Sequence, residues 1–244
     1  MPRHAYQGPG RSVAYAGEAM CATSHPAAAS VALDMLRQGG NAVDAAVAGA
    51  LVLGFCEPMM CGLGGDAFAL IAFDGGKGPT IALNGSGRAP QAADAARLRA
   101  QGLSTISTSS VDAITLPGAI DAFDRLVRDW GRLDLPTVLA PAIGYAERGV
   151  PVTPRIAMDW RDYQSRLSGD ARRYFLRNDA AYDTGEIFRA PAQAEALRLI
   201  AKQGADAFYR GEIMEDMLAS LRDIGGVHTE TDFAGVASEQ IAPV

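Results

Sequence analysis

Residues 39–90 constrain the chain more tightly than any other stretch: GGNAVDAAVAGALVLGFCEP, a glycine-rich turn, two apolar runs and the loop NGSGRAP. Between Asp44 and Glu57 there is no charge, so a helix over Ala42–Phe55 has no wet face. A helix of that kind is buried in protein or in lipid. At ~1.5 Å per residue it reaches about 20 Å, short of the ~20 apolar residues a bilayer needs. The pattern therefore predicts a core helix. Asn41 is a suitable N-cap, and Asp44, three residues on, sets an acid among the first-turn N–H groups.

The flanking chain is well punctuated. Val13–Thr23 reads as a buried strand after a loose Gly/Pro/Arg-rich arm at residues 1–12. The stretch SHPAAASVALDMLRQGG reads as a helix with Pro26 at its first position, Val31, Leu33, Met35 and Leu36 as a partly apolar stripe, and Gly39 and Gly40 at its end. His25 is read as a helix-start residue, not a metal ligand. Glu57-Pro58 stops the core helix, Gly62 to Gly65 form the turn, and Asp66–Phe73 and Thr80–Asn84 form an antiparallel hairpin with a buried first strand. Downstream, helices are expected at 93–101, 119–130, 138–148, 192–203 and 212–224. Ser/Thr-rich residues 104–115 are expected to be extended, the Arg- and aromatic-bearing part of 154–204 a solvated helical surface, and Thr229 the cap of a short turn. Glu239–Val244 looks like the start of a strand.

Composition removes several function classes. A net charge of −6 opposes a nucleic-acid surface or a basic membrane footprint, and the acids interleaved among the arginines of 154–204 oppose it locally. Cys21, Cys56 and Cys61 form no CxxC, and the three histidines are far apart, so buried reduced thiols and no metal are expected. The glycine turn is not GxxxxGK[ST] and precedes a strand, the wrong setting for a phosphate cradle, and no cofactor is expected. The N-terminus lacks an apolar h-region, which predicts no signal peptide, no membrane span and a cytoplasmic location.

SHPAAASVALDMLRQGGNAVDAAVAGALVLGFCEP, GLGGDAFAL, the NGSGRAP loop, LPGAIDAF, LAPAIGYAERGVPVT, ADAFYRGEI and GG with TETDFAG follow one another in unbroken order. In this they resemble the large-subunit half of the γ-glutamyltranspeptidase family, over nearly all of residues 13–244. The resemblance implies an α+β fold, the Ntn-hydrolase αββα sandwich, of which residues 1–244 would be a single, incomplete large-subunit domain. It also implies a proenzyme that cuts itself to free an N-terminal threonine, whose hydroxyl attacks an amide while its own amine is the base. That threonine and the oxyanion hole belong to the small subunit, so no catalytic residue is assigned here and the chain alone is expected to be inactive. The implied partners are that small-subunit segment and a small-molecule amide.

The resemblance also points to substrate-binding residues: Arg88, Ser86, Asn84 and Asp66. In transpeptidases proper an arginine four residues before the loop's proline clamps a glutamyl α-carboxylate. With Pro90 as the frame that position is Ser86, and the arginine is Arg88, about 6–7 Å farther along an extended chain. Arg88 either substitutes from a new angle or is structural. Asp66, where transpeptidases tend to have glycine, either holds Arg88 or a loop N–H, or meets a substrate amide or amine. The altered clamp is similar to the amidohydrolase and acylase branch, so small or acidic acyl amides of oxamate or glutaryl type are the expected substrates, with γ-glutamyl amides as the alternative. A non-catalytic scaffold that kept the fold is the reading from another class.

Overall fold

The computed structural model describes residues 13–243, and two helices packed along each other organise it: α1, Pro26–Arg37, and α2, Ala42–Cys56. Asn41 Oδ1 accepts from Val43 N at 2.8 Å and Asp44 N at 3.2 Å. Asp44 returns the bond, accepting from Asn41 N at 2.8 Å, which completes a capping box. α2 buries Val47, Leu51, Val52 and Phe55, each contributing about 1.5–3 kcal/mol. It also lets Gly49 pass close to the Ala28 carbonyl of α1. α1 buries Ala28, Val31, Ala32 and Met35, while Leu33 and Leu36 are only half-buried. His25 caps α1, its Nδ1 accepting from Ala27 N at 3.2 Å.

The hairpin follows as β1, Ala67–Ala72, and β2, Thr80–Gly85, paired antiparallel with Ala67 opposite Gly85. Then come α3, Ala95–Ala100; α4, Ala119–Trp130; α5, Leu135–Arg148; β3, Val150–Pro151; and α6, Pro154–Tyr163. The rest is α7, Gly169–Phe175; β4, Ile187–Phe188; α8, Pro191–Gln203; α9, Asp206–Tyr209; α10, Glu212–Asp223; α11, Glu230–Ala234; and β5, Glu239–Ile241. β5 joins the far side of β2, giving the order β1-β2-β5, and β3 pairs with β4 apart from it. Gly149 ends α5 at φ 91°, and a Cβ there would lie 2.7 Å from the Phe188 carbonyl oxygen, so only glycine lets β3 reach β4.

Asp44 is the joint between layers. Fully buried, it accepts from Arg132 N at 3.0 Å and Leu133 N at 3.3 Å as well as from its own N-cap. Asn41 Nδ2 donates to the Trp130 carbonyl at 2.7 Å, so the end of α4 and the link to α5 are tied to the start of α2.

Five expectations need correction. Residues 13–23 form no strand: Val13, Tyr15 and Met20 are exposed, because the segment finds no ladder partner among the described residues. β1 is not buried on both sides, with Phe68 and Leu70 about 70% and 72% exposed respectively. The part of 154–204 read as solvated contains a core instead. Trp160 is fully buried, its ring 4.9 Å from both Tyr182 and Phe188, and its Nε1 donates to the Phe175 carbonyl at 2.6 Å. The arginines there turn outward to acids, as in Arg161–Asp183 and Arg172–Asp179. α5 starts at Leu135, three residues early, because Asp134 caps it by accepting from Thr137 N at 2.9 Å. Residues 104–115 include a short 3₁₀ turn at Val111–Ala113. The arm read at 1–12, and Val244 at the end of the last strand, lie outside the described residues. No helix among the described residues is long and apolar enough to cross a membrane.

Thr229 caps α11 in a second capping box with Asp232. Asp232 is buried and also accepts from Gln91 N at 2.9 Å. Burial pushes its carboxyl up, but bonds from the Thr229 hydroxyl, the Gln91 N–H and the Thr229 N–H outweigh that and hold it below the usual range. Its stabilising effect is therefore present above the ordinary value of about 4 and lost as pH falls through the lowered one. Asp232→Asn is expected to flatten the acid side of the unfolding free-energy profile below about pH 4; an unchanged slope would contradict this. Asp44→Ala orphans buried N–H groups worth about 1–3 kcal/mol each, so a loss of about 3 kcal/mol or more is expected in chemical denaturation of the full-length protein. A loss under about 1 kcal/mol would remove Asp44 from this role.

Candidate functional site

The loop carrying the sequence-identified residues leaves β2 and runs against the turn before α4. Asn84 Oδ1 accepts from Ser86 N at 3.0 Å, a local bond that bends the chain as it leaves the strand. Asp66, at the end of the glycine turn, accepts from Gly87 N at 2.9 Å. The Arg88 carbonyl accepts from Leu116 N at 2.9 Å, and beyond buried Pro90 the Gln91 N–H is taken by Asp232. Hydrogen bonds thus fix the loop at four successive points.

Packing there is backbone against backbone. A Cβ on Gly87 would fall on the Leu116 carbonyl oxygen, and one on Gly118 would fall on the Gly85 carbonyl oxygen. A Cβ on Gly85 would lie 2.5 Å from Ala122 Cβ on α4. These glycines serve closeness, since none of the three has a positive φ. The glycine turn has a matching role: the Gly65 carbonyl accepts from Gly118 N and Ala119 N, both at 3.0 Å, capping α4 where no side chain does. It spends a carbonyl on a helix N-terminus, the opposite of a phosphate cradle. Tyr209 completes the turn, donating from Oη to the Pro117 carbonyl at 2.8 Å and accepting from Asp121 N at 3.1 Å. Burial pushes its phenol well above the usual value, so it stays a donor there.

Asn84, Ser86, Arg88 and Asp66 are therefore gathered in one loop cluster, with Asp66 on a loop N–H and not on Arg88. The Arg88 guanidinium, 78% exposed, goes instead to Glu239 of β5, pairing through Nη2 and Oε1. Glu239 was not singled out from sequence. A strand was expected there, but only its register, with Glu239 opposite Asn84, brings the carboxylate to the loop. The Asn84 amide nitrogen and the Ser86 hydroxyl have no partner among the described residues and remain available to a ligand.

The cluster borders an uncovered apolar surface. The register puts Phe68 and Leu70 on the same sheet face as Asn84, Glu239 and Ile241, while the opposite face meets α4. Phe68, Leu70 and Ile241 are all exposed, and β1 and β5 are the sheet's edges among the described residues. No group of three His, Cys, Asp or Glu among those residues is placed to hold a metal ion. Cys56 is buried beside Glu57; burial first, then the Glu57 charge, push its thiol up to about 12, which leaves it unreactive.

The sequence pattern of the gamma-glutamyltranspeptidase family matches residues 28–244. The glutathione hydrolase proenzyme of Bacillus subtilis (strain 168) is 33% identical over 220 residues, covering 88% of this chain and 37% of that protein. The oxamate amidohydrolase proenzyme of Klebsiella pneumoniae is 34% identical over 214 residues, covering 84% of this chain and 40% of that one. The crystal structure of cephalosporin acylase from Bacillus halodurans superimposes with a TM-score of 0.90 at 38% identity, over 99% of this chain and 46% of that one. The chain thus spans about two-fifths of the curated relatives it matches. Its helix-rich α+β architecture is that of the large-subunit portion of an Ntn-hydrolase αββα sandwich. With most of its length matched and relatives above 30% identity, the chain belongs to the gamma-glutamyltranspeptidase family.

Proposed function

We propose that residues 1–244 are the large-subunit portion of a self-processing amide hydrolase that acts on small or acidic acyl amides, with water as acceptor. The observation that carries this is the clamped loop at the rim of an uncovered apolar sheet. The loop holds Arg88, Ser86 and Asn84 on a backbone that a ligand does not need to order. The sheet face presents Phe68, Leu70 and Ile241 to whatever packs on it. In an αββα sandwich that neighbour is a second sheet, supplied in this reading by the small-subunit segment of the same precursor.

The division of labour follows. The N-terminal threonine of the small subunit supplies the attacking hydroxyl and the base, and backbone N–H groups there receive the oxyanion. This chain supplies the acyl side. Arg88 offers charge-assisted hydrogen bonds to an acyl carboxylate, and Ser86 and Asn84 add neutral ones. Asp66 holds Gly87 in place through Oδ1 and leaves Oδ2 open to a substrate amide or amine. Oxamate- or glutaryl-type amides suit an arginine displaced by two residues from the transpeptidase position. Hydrolysis of γ-glutamyl amides is the second reading, supported by the glutathione hydrolase name of the Bacillus subtilis relative. We place the reaction in the cytoplasm.

The full-length protein is expected to run as two bands on a denaturing gel, and Ala at the first residue of the smaller band to leave one uncleaved band. The processed form is expected to release ammonia or amine from a panel of oxamate, glutaryl and γ-glutamyl amides. A single band with no turnover of any panel member would favour the non-catalytic scaffold.

A further inference from the structure

Arg88 and Glu239 lie 151 residues apart in sequence, yet each is positioned before the two side chains meet. The Arg88 backbone is held against Leu116. Glu239 is held by the ladder opposite Asn84 and by its neighbour Ser238. The Ser238 N–H donates to Asp121 Oδ2 at 2.6 Å, and its carbonyl accepts from Arg125 Nη1 at 2.6 Å. Both Asp121 and Arg125 belong to α4, whose first turn also sets Ala122 against Gly85, while Gly87 packs on Leu116 in the segment that leads into this helix. Helix α4 and the segment leading into it therefore aim the cation and the anion at each other.

An ion pair this exposed adds little to folding, its side chains being 78% and 50% accessible. Its consequence for a ligand is larger. The Glu239 carboxylate occupies Nη2 and cancels the charge of Arg88, leaving the Nε and Nη1 donors to an incoming group. A substrate carboxylate thus meets a site with donors but no net charge, and with an acid alongside it. A neutral acyl group meets no such repulsion.

We propose that Glu239 is a positioning residue that sets the charge preference of the Arg88 site, weakening its hold on anionic acyl groups and admitting neutral ones. This rests on reading Arg88 as the contact for the acyl group.

The test compares wild type, Glu239→Gln, Arg88→Ala and the double variant of the processed full-length protein. The probes are glutaryl p-nitroanilide, which is anionic, and glutaramoyl p-nitroanilide, its neutral isostere. At low salt Glu239→Gln is expected to lower KM for the glutaryl probe about three- to tenfold, the size of one unit charge acting through water at contact. The neutral probe's KM should respond far less, so the ratio of glutaryl to glutaramoyl KM should fall by nearly the same factor. The effect should shrink at high salt and vanish in the Arg88→Ala background, which a merely structural residue would not produce. If Arg88→Ala raises the glutaryl KM but Glu239→Gln leaves it unchanged or raises it, the role of Glu239 is overturned and that of Arg88 stands. If Arg88→Ala changes nothing, or neither probe is turned over, the reading of Arg88 falls and this inference with it.

Discussion

The close approach of two stretches of backbone, residues 85–88 and 116–118, is the constraint on which the site depends. Without side chains at Gly85, Gly87 and Gly118, the loop after β2 comes within hydrogen-bonding range of the turn before α4. Asp66 and Gly65 then close the contact from the glycine turn, one taking the Gly87 N–H and the other the first N–H groups of α4. Each bond is modest alone, about 0.5–1.5 kcal/mol net, but in a region this crowded an unmade one costs more. The strand pair, the glycine turn and α4 therefore hold one another in register. The residues that face a ligand are a by-product of that lock.

Below this layer, Asp44 performs the same service for the helices. One buried carboxylate collects N–H groups from the start of α2 and from the link between α4 and α5. A buried acid satisfied in this way fixes how helices sit relative to each other in a way that apolar contacts, being non-directional, do not. The chain thus runs from Asp44 through α4 to both ends of the Arg88–Glu239 pair.

Much of this was legible from residues whose chemistry is local. Asn41 and Asp44 announced the start of α2, Thr229 the cap of α11, and the uncharged run 45–56 a core helix, because capping and burial act within a few positions along the chain. What stayed hidden depended on partners distant in sequence. Asp44 reaching Arg132 and Leu133, and Glu239 reaching Arg88, each need a fold before they mean anything. The Trp160 cluster leaves no simple apolar period in the sequence, because its aromatics are spaced among charges most of which turn outward. Val13–Thr23 was misread for the converse reason: a strand-like composition cannot make a strand without a neighbour. Phe68 and Leu70 were read as buried on apolarity alone, and their exposure is what marks the sheet face as a surface to be covered.

The lock between the site loop and the start of α4 is most directly tested by amide hydrogen exchange resolved at Gly87, Leu116, Gly118 and Ala119 in the full-length protein. A shared clamp requires all four to be protected and to open together in one step. Exchange of Gly87 and Leu116 at the rate of unstructured peptide, while Gly118 and Ala119 stay protected, would show the loop to be free and the account of the site to be wrong.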